Sequence, residues 1–189
     1  MSIHGFYGPM FARKSTELMR EMERARYAKR SAVLVKPSLD DRYSINEVCT
    51  HSGMKMDAMV VPASDEGVRD IANLIDSPFD VIGLDEVQFY PRSLVAAVLA
   101  LSDAGKRVFC TGLDTDYLGR PFGPVPMLMA VGGVTKVTAM CACGSDATMT
   151  NRLDKSGPVV VVGAEAKYSA LCRPCWLKQN PSFQTGTHL

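Results

Sequence analysis

A short loop near the amino terminus has the residues needed to hold the phosphates of a nucleotide. Residues 8–15 read GPMFARKS, close to the pattern G-x-x-x-x-G-K-[ST], in which backbone N–H groups surround the phosphates, the lysine reaches their outer oxygens and the hydroxyl holds Mg²⁺. Lys14 and Ser15 supply the last two groups, but Arg13 stands where the second glycine belongs. A side chain in a left-handed conformation costs roughly 1–2 kcal/mol, which is tolerable at a functional site. We therefore expect Arg13 to accept the glycine geometry.

Two adjacent carboxylates further along the chain support this interpretation. The segment FDVIGLDE at residues 79–86 is an apolar run that ends in Asp85 and Glu86, and parallel strands present ligand-binding groups at their carboxyl ends. One carboxylate can hold Mg²⁺, while its neighbour accepts a proton from an attacking hydroxyl. Taken singly, the loop could be an ordinary Gly-Pro turn before a helix, and the acids could be solvated residues after a strand. Together the two signals favour a phosphoryl-transfer site.

Four of the six cysteines fall in two close pairs, Cys141 with Cys143 and Cys172 with Cys175. In a cytosolic protein, such pairs separated by a long gap favour tetrahedral zinc over disulfides. Two redox dithiols or chance clustering are the alternatives. A zinc site of this kind would be closed and structural. Cys110 ends a strand-like run and is expected to be a buried thiol.

The elements that must position these groups alternate along the chain. Strand-like segments lie at residues 3–7, 32–36, 58–62, 80–84 and 107–111, and helices are predicted at 14–30, 66–75 and 93–104. In the first helix, Leu18, Met19 and Met22 have helical spacing. This alternation predicts an α/β fold, a P-loop parallel sheet flanked by helices. The polar, turn-rich residues 37–53 predict a loop or flap beside the site.

The cysteine pairs bracket a segment in which Gly157 and Pro158 precede the apolar residues 159–162, which predicts a small C-terminal zinc-binding β module. We therefore divide the chain into a nucleotide-binding domain (1–133), a zinc-binding module (134–178) and a flexible tail (179–189). With 189 residues, 47% apolar content and a net charge of +1, the chain has no broad field for nucleic acid or anionic membrane. It lacks a membrane-length apolar run and a secretory signal, so we expect a soluble, cytoplasmic protein.

With these motifs identified, the chain resembles the type II thymidine kinase family over roughly residues 3–178. The shared signatures occur in family order: GPMFARKSTELMR, DDRYS, LDEVQF, GLDTDYLGRPFG, CACGSDATMTNRL and VVGAEAKYSALCRPC. The resemblance implies ATP-dependent phosphorylation of the 5′-hydroxyl of thymidine, a salvage step in DNA precursor synthesis. It also implies Mg²⁺ as cofactor and a structural Zn²⁺. Family members are commonly homotetramers inhibited by thymidine triphosphate, and we expect the same here.

The resemblance also implies roles for individual residues on the phosphate side. ATP and its phosphates would contact Gly8, Pro9, Met10, Phe11, Ala12, Arg13, Lys14, Ser15, Thr16, Asp85 and Gln88. Ser15 and Asp85 would be on the Mg²⁺ side, and Glu86 would be the general base. Arg42 would stabilise the charge that develops on the phosphates, although it could instead be a surface arginine paired with Asp40 or Asp41.

On the thymidine side, the family grips the base with a loop closed by the zinc module, largely through backbone hydrogen bonds. The matching positions are Met10, Phe89, Tyr117, Phe122, Thr150 and Tyr168. Flat aromatic and thioether surfaces suit the faces and the methyl group of thymine, but each of these residues could also belong to the core. The zinc ligands would be Cys141, Cys143, Cys172 and Cys175.

Two further hypotheses are compatible with the sequence. The chain could be a non-catalytic nucleotide-binding protein whose phosphate loop is disabled by Arg13. It could also be a kinase of another deoxynucleoside. Competition by deoxyuridine and deoxycytidine would test this hypothesis, because the cytosine edge presents a donor where thymine presents an acceptor.

Overall fold

The computed structural model describes residues 2–38, 47–49, 55–154 and 167–183. Its centre is a sheet of six parallel strands. In chain order these are β1 (Ile3–Tyr7), β2 (Ala32–Pro37), β5 (Met59–Val61), β6 (Val81–Leu84), β7 (Arg107–Gly112) and β8 (Gly133–Lys136). They lie side by side in the order β5-β2-β6-β7-β1-β8, which confirms the predicted parallel α/β fold.

Helices cover both faces of this sheet. They are α1 (Lys14–Tyr27), α2 (Asp65–Ala72), α3 (Leu94–Asp103) and α4 (Val125–Val131). The predicted apolar positions Leu18, Met19 and Met22 of α1 are fully buried against one face, together with the hairpin of β3 (Glu47–Cys49) and β4 (Lys55–Asp57). The other three helices pack their apolar side chains against the opposite face. The core is therefore split by the sheet into two layers.

Two elements inside or beside the segment 112–133 were missed by the sequence analysis. Helix α4 carries Pro126 in its first turn, where a proline is tolerated because that N–H has no partner within the helix. Among the described strands, β8 pairs with β1 alone, and it is short and largely exposed. A strand with little burial needs no continuous apolar run, so hydrophobicity did not reveal it. Strand β8 completes the main sheet at the position where we predicted the boundary after residue 133.

The remaining elements form what we call the cysteine module. It contains the short strands β9 (Ala139–Met140), β10 (Asp146–Ala147), β11 (Met149–Arg152) and β12 (Tyr168–Leu171), followed by α5 (Arg173–Gln179). The strands pair as two antiparallel hairpins, β9 with β10 and β11 with β12. Trp176 is 1% exposed at the centre of their small core. The predicted strand-like residues 159–162 lie outside the described part of the chain.

The structured chain continues beyond residue 179, where we expected a flexible tail to begin. Asn180 is 3% exposed and its side-chain amide donates to the Trp176 carbonyl oxygen at 2.9 Å. The Phe183 ring lies 5.2 Å from the Trp176 ring. In the described ranges, no helix is both long enough and apolar enough to cross a membrane.

Parallel pairing decides which residues can share a site. Strands β6, β7 and β1 are neighbours in the sheet, so their carboxyl ends meet at one edge. In this register, Leu84 lies opposite Cys110 and Tyr7 opposite Gly112. The residues that follow these strands, including Gly8 and Asp85, are therefore brought together.

Candidate active site and metal centre

The phosphate loop links the carboxyl end of β1 to the start of α1. Two of its residues have left-handed backbone conformations, Phe11 with φ 65° and Arg13 with φ 57° and ψ 30°. Arg13 thus adopts the geometry that the second glycine of the motif would supply, as we expected. Its side chain is exposed, and it directly precedes the first residue of α1. Strain of this kind is retained where the surrounding structure enforces it, often at functional sites.

Two contacts hold the loop in shape. Gly8 has no room for a side chain, because a Cβ there would lie 2.0 Å from the Val137 carbonyl oxygen. Lys14 is 8% exposed, and its Nζ donates to the Pro9 carbonyl oxygen at 2.7 Å. The loop therefore surrounds an ammonium group at the amino end of α1. Both the ammonium and a helix amino terminus favour anions.

Asp85 lies where the amino end of α1 meets the carboxyl ends of the sheet strands. It is 2% exposed, and its Oδ1 accepts hydrogen bonds from Ser15 Oγ at 3.1 Å, from the Glu86 backbone N–H at 3.0 Å and from the Thr111 hydroxyl. A buried carboxylate is costly unless donors of this kind satisfy it. Thr111 was not among the predicted site residues. Its place beside Asp85 follows from the register of β6 against β7.

The donors at this point fit Mg²⁺. Ser15 offers a hydroxyl and Asp85 a carboxylate, and Mg²⁺ in phosphate sites takes such oxygen ligands together with waters and substrate phosphates. The two oxygens lie 3.1 Å apart. The pair that the resemblance assigned to the metal is therefore adjacent in space, with the lysine of the phosphate loop on the same turn of α1.

Glu86 and Gln88 lie immediately after Asp85. Glu86 is half-buried and has a left-handed backbone, with φ 50° and ψ 43°. Its Oε2 accepts a hydrogen bond from Nε2 of Gln88. Gln88 is 2% exposed, and its Oε1 accepts from the Leu113 backbone N–H at 3.1 Å. The resemblance assigned Gln88 to ATP, and that contact stays a prediction, while its amide here bridges Glu86 and the loop after β7.

That loop, residues 113–123, is called the base loop below. It is held by Asp116, which is 6% exposed and accepts from the backbone N–H groups of Leu118 at 2.9 Å and Arg120 at 3.0 Å. The Asp116 carboxylate also pairs with the Arg120 guanidinium at 2.8 Å. Gly123 closes the loop with φ 53°. The carboxylate thus organises the turn from inside, which favours a fixed loop conformation.

Four of the predicted thymidine residues form two contacting pairs. The rings of Phe89 and Phe122 lie 6.0 Å apart with their planes at 85°. The Met10 backbone N–H donates to Thr150 Oγ1 at 3.1 Å, which joins the phosphate loop to β11 of the cysteine module. Tyr117 is 8% exposed. The two contacts therefore join four segments of the chain in two pairs, the phosphate loop with β11 and the segment after β6 with the base loop.

Arg152 links the last two predicted thymidine positions, Tyr117 and Tyr168, and was itself missed. It is 3% exposed, its guanidinium lies 5.2 Å from the centre of the Tyr117 ring, and in the β11–β12 pairing it is opposite Tyr168. A cation over an aromatic face is attracted by the ring quadrupole, most strongly when desolvated. The only signal in the sequence was an arginine in a short polar strand.

The four paired cysteines form a cluster that could hold a metal ion. Cys141 and Cys143 lie in the turn between β9 and β10, and Cys172 and Cys175 lie at the start of α5. Their sulfur atoms all lie within 4.8 Å of one another, while tetrahedral Zn²⁺ with bonds of about 2.3 Å requires sulfur separations of about 3.8 Å. The arrangement therefore fits the predicted ligand set.

The crowded thiols have opposing acidities. Hydrogen bonds from Ser145, first from its side chain and then from its backbone, lower the pKa of Cys143 to about 6. The neighbouring cysteine sulfurs, Cys172 first, raise the pKa of Cys175 to about 12. Several thiolates at this spacing repel one another, and a divalent cation among them relieves that repulsion. Cys110 is separate from this cluster, and burial raises its pKa to about 12, as expected for a buried thiol.

One predicted catalytic residue, Arg42, lies outside the described residues, as does most of the predicted flap. The two flanking strands of that region, β3 and β4, pair as a hairpin. The Lys36 Nζ donates to the Glu47 carbonyl oxygen at 2.8 Å, which attaches the hairpin to the carboxyl end of β2.

Comparisons with known proteins agree with one another. The model of the thymidine kinase family matches residues 1–176. A thymidine kinase from Thermococcus kodakarensis is 43% identical over 176 residues, which cover 88% of this chain and 89% of that protein.

Proposed function

This chain belongs to the thymidine kinase family, and we propose that the site around Asp85 is where it transfers the γ-phosphoryl group of ATP to the 5′-hydroxyl of thymidine. The observation that carries this proposal is the hydrogen bond of 3.1 Å between Ser15 and Asp85. It joins the phosphate loop to the strand end that carries Glu86. Phosphate-binding, metal-binding and proton-accepting groups are thus adjacent.

Residues 8–16 would hold the phosphates of ATP. Backbone N–H groups of the loop and the ammonium of Lys14 are the donors, and the amino end of α1 adds a favourable dipole. Arg13 leaves the loop geometry unchanged because its backbone is left-handed. This favours an intact phosphate loop over a disabled one, and the exposed guanidinium adds positive charge close to it.

Ser15 and Asp85 would hold Mg²⁺, directly or through water. The ion would supply neutralisation of the charge on the β- and γ-phosphates. The carboxylate of Asp85 is fixed for this role by the hydroxyl of Thr111 and the N–H of Glu86. Arg42, which resembles a residue near the phosphates in the family, would stabilise the charge of the transition state.

Glu86 would act as the general base. Its carboxylate would accept the proton of the thymidine 5′-hydroxyl as the 5′-oxygen forms a bond to the γ-phosphorus. The bond between that phosphorus and the oxygen bridging it to the β-phosphate breaks, and ADP leaves with the electron pair. Thymidine 5′-monophosphate is the product.

Thymine would lie among Met10, Phe89, Tyr117, Phe122, Thr150 and Tyr168. We propose that the zinc-binding module, predicted as residues 134–178, closes this pocket over the nucleotide-binding domain of residues 1–133. The hydrogen bond from the Met10 backbone N–H to Thr150 Oγ1 supports this, since it joins the nucleotide-binding domain to the zinc-binding module. Zn²⁺ on the four cysteines would be structural, because a four-sulfur site has no open position for substrate. We also propose that the protein is a cytoplasmic homotetramer and that thymidine triphosphate inhibits it.

The test is an assay of the purified protein with ATP, Mg²⁺ and thymidine, in which ADP and thymidine 5′-monophosphate are measured together. We expect equal amounts of both, formed only when thymidine is present. Competition by deoxyuridine and deoxycytidine measures the base preference, and deoxycytidine should compete poorly. ADP formation that does not depend on thymidine would overturn the assignment.

A further inference from the structure

Gln88 lies between the side chain of Glu86 and the base loop, residues 113–123. We propose that Gln88 is a positioning residue that orients the Glu86 carboxylate. Through the same side chain, the orientation of Glu86 depends on the conformation of the base loop. This inference rests on the proposed role of Glu86 as general base.

The hydrogen bonds of Gln88 fix which end of its amide faces which partner. The Leu113 backbone N–H can only donate, so it requires the amide oxygen, at 3.1 Å. The amide nitrogen therefore faces Oε2 of Glu86, where it donates. A donor on one side and an acceptor on the other leave the amide one orientation. Gln88 thus restrains the Glu86 carboxylate by a directional contact.

The backbone of two neighbouring glycines packs closely against Gln88. Gln88 is 2% exposed. A Cβ added at Gly112 would lie 2.8 Å from the Gln88 Oε1, and one added at Gly123 would lie 2.3 Å from its carbonyl oxygen. The chain therefore packs closely on Gln88 both where the base loop starts and where it ends. Glu86 itself has a left-handed backbone with φ 50°, a conformation that persists only where surrounding contacts hold it.

The base loop carries two of the predicted thymidine residues, Tyr117 and Phe122. Phe122 also packs against Phe89, the residue after Gln88. A ligand that seats on this loop fixes Leu113, and Leu113 in turn fixes the Gln88 amide. Thymidine binding would therefore align Glu86, the carboxylate that accepts the proton of the thymidine 5′-hydroxyl. Positioning accelerates a reaction when the catalytic group is held within a fraction of an ångström of its productive position.

The first experiment replaces Gln88 by Met, which has a similar length but no amide. We expect kcat to fall about tenfold, a fraction of what a general base contributes, while KM for thymidine changes less than about threefold. The control is Lys106→Met, which removes a side-chain tether to the Ser77 carbonyl oxygen at the opposite end of the sheet and should leave kcat unchanged. An unchanged kcat in Gln88→Met, or a change confined to KM, would overturn the inference.

The second experiment separates positioning from a general structural effect. Glu86→Asp keeps a carboxylate but shortens it, so it no longer reaches the Gln88 amide. In that background, Gln88→Met should cost less than about twofold in kcat, because the contact is already lost. The same tenfold loss in both backgrounds would mean that Gln88 acts without Glu86, and the inference would be wrong.

The third experiment tests the dependence on the loop. Gly123→Ala places a Cβ against the backbone carbonyl oxygen of residue 88 and strains a backbone with φ 53°, so it displaces residue 88 in either background. It should lower kcat in the parent more than in Gln88→Met, because only the parent has an amide that loses its orientation toward Glu86. An equal effect in both would show that the base loop does not act through Gln88.

Glu86→Gln separates a failure of the proposed function from a failure of this inference. If it keeps full turnover, the role of Glu86 is wrong, whereas if it loses turnover while Gln88→Met does not, only this inference fails.

Discussion

The carboxyl end of the six-stranded sheet and the cysteine module supply parts of one proposed site, but different forces hold them in shape. Around Asp85, the strand residues Val81, Ile82 and Leu84 are fully buried between two layers of helices. In the cysteine module, no described strand exceeds four residues. Its described core has seven buried residues, of which two are cysteines of the cluster. Small cores of this kind are often completed by a metal.

The difference predicts how each region fails. At the sheet edge, a polar side chain can be replaced without loss of the fold, since the apolar layers beneath it remain. In the cysteine module, the loss of one proposed zinc ligand would remove the metal that we propose completes the core. Changes at the sheet edge should therefore separate chemistry from folding, and changes at the cysteines should not.

The largest effect is expected from Glu86→Gln at the sheet edge. Loss of the general base should lower kcat by about 10²- to 10⁴-fold, while thymidine binding and the melting temperature stay nearly unchanged, because the amide has almost the same shape. Steady-state kinetics, calorimetric titration with thymidine and thermal unfolding measure the three quantities. If the variant retains its kcat, Glu86 is not the general base. If the variant unfolds, changes at the sheet edge do not separate chemistry from folding.

The next effect is expected from Cys172→Ser in the cysteine module. The zinc content should fall from about one per chain to well below that, and Kd for thymidine should rise by at least about tenfold, because the module no longer holds Thr150 against the phosphate loop. Elemental analysis and calorimetric titration provide the measurements.

Its matched control is Cys110→Ala, which alters a cysteine buried in the main sheet and outside the cluster. This change should keep the zinc and cost about 1–2 kcal/mol of unfolding free energy through the lost packing. Zinc loss in the control, or full zinc in Cys172→Ser, would contradict the assignment of ligands.

The contrast between the regions also explains what could be predicted from the sequence. Five of the six sheet strands are apolar runs in the sequence, because buried parallel strands have little polar periodicity. The strands of the cysteine module have two to four residues, too few for any period to be read. There, the spacing of the cysteines carried the prediction instead of hydrophobicity.

Within the site, the predictable residues were those that belong to local motifs. Lys14 and Ser15 are identified by the phosphate loop, and Asp85 and Glu86 by the end of an apolar run. Thr111 and the bridging contacts of Gln88 could not be found in this way. They depend on the register of β7 against β6 and on the path of the base loop, which are properties of the folded chain.

A smaller effect is expected from Thr111→Val, which removes one donor from the carboxylate of Asp85. Thr111 is fully buried, so its loss should cost about 1–2 kcal/mol of unfolding free energy. The KM for ATP with Mg²⁺ should rise several-fold, because the carboxylate loses part of its orientation. Denaturant unfolding and steady-state kinetics measure both.

The control for this change is Thr111→Ser, which keeps the hydroxyl and loses only a methyl group. It should restore the parent KM for ATP even if part of the stability is lost. If valine and serine raise that KM equally, the effect comes from packing, and the hydroxyl has no role in orienting Asp85.

The smallest effect is expected from Arg13→Gly, which restores the glycine of the phosphate-loop motif. Glycine relieves the left-handed strain at this position, roughly 1–2 kcal/mol, but it loses about 0.5–1 kcal/mol more conformational entropy on folding. The net gain in unfolding free energy should therefore lie between about 0 and 1.5 kcal/mol, and kcat should change less than about twofold. Lys29→Gly is the matched control, since Lys29 has the same φ of 57° just beyond the other end of α1. Thermal unfolding should give similar small shifts for both variants. A large rise in kcat for Arg13→Gly alone would mean that the arginine side chain, and not its backbone, limits the phosphate loop.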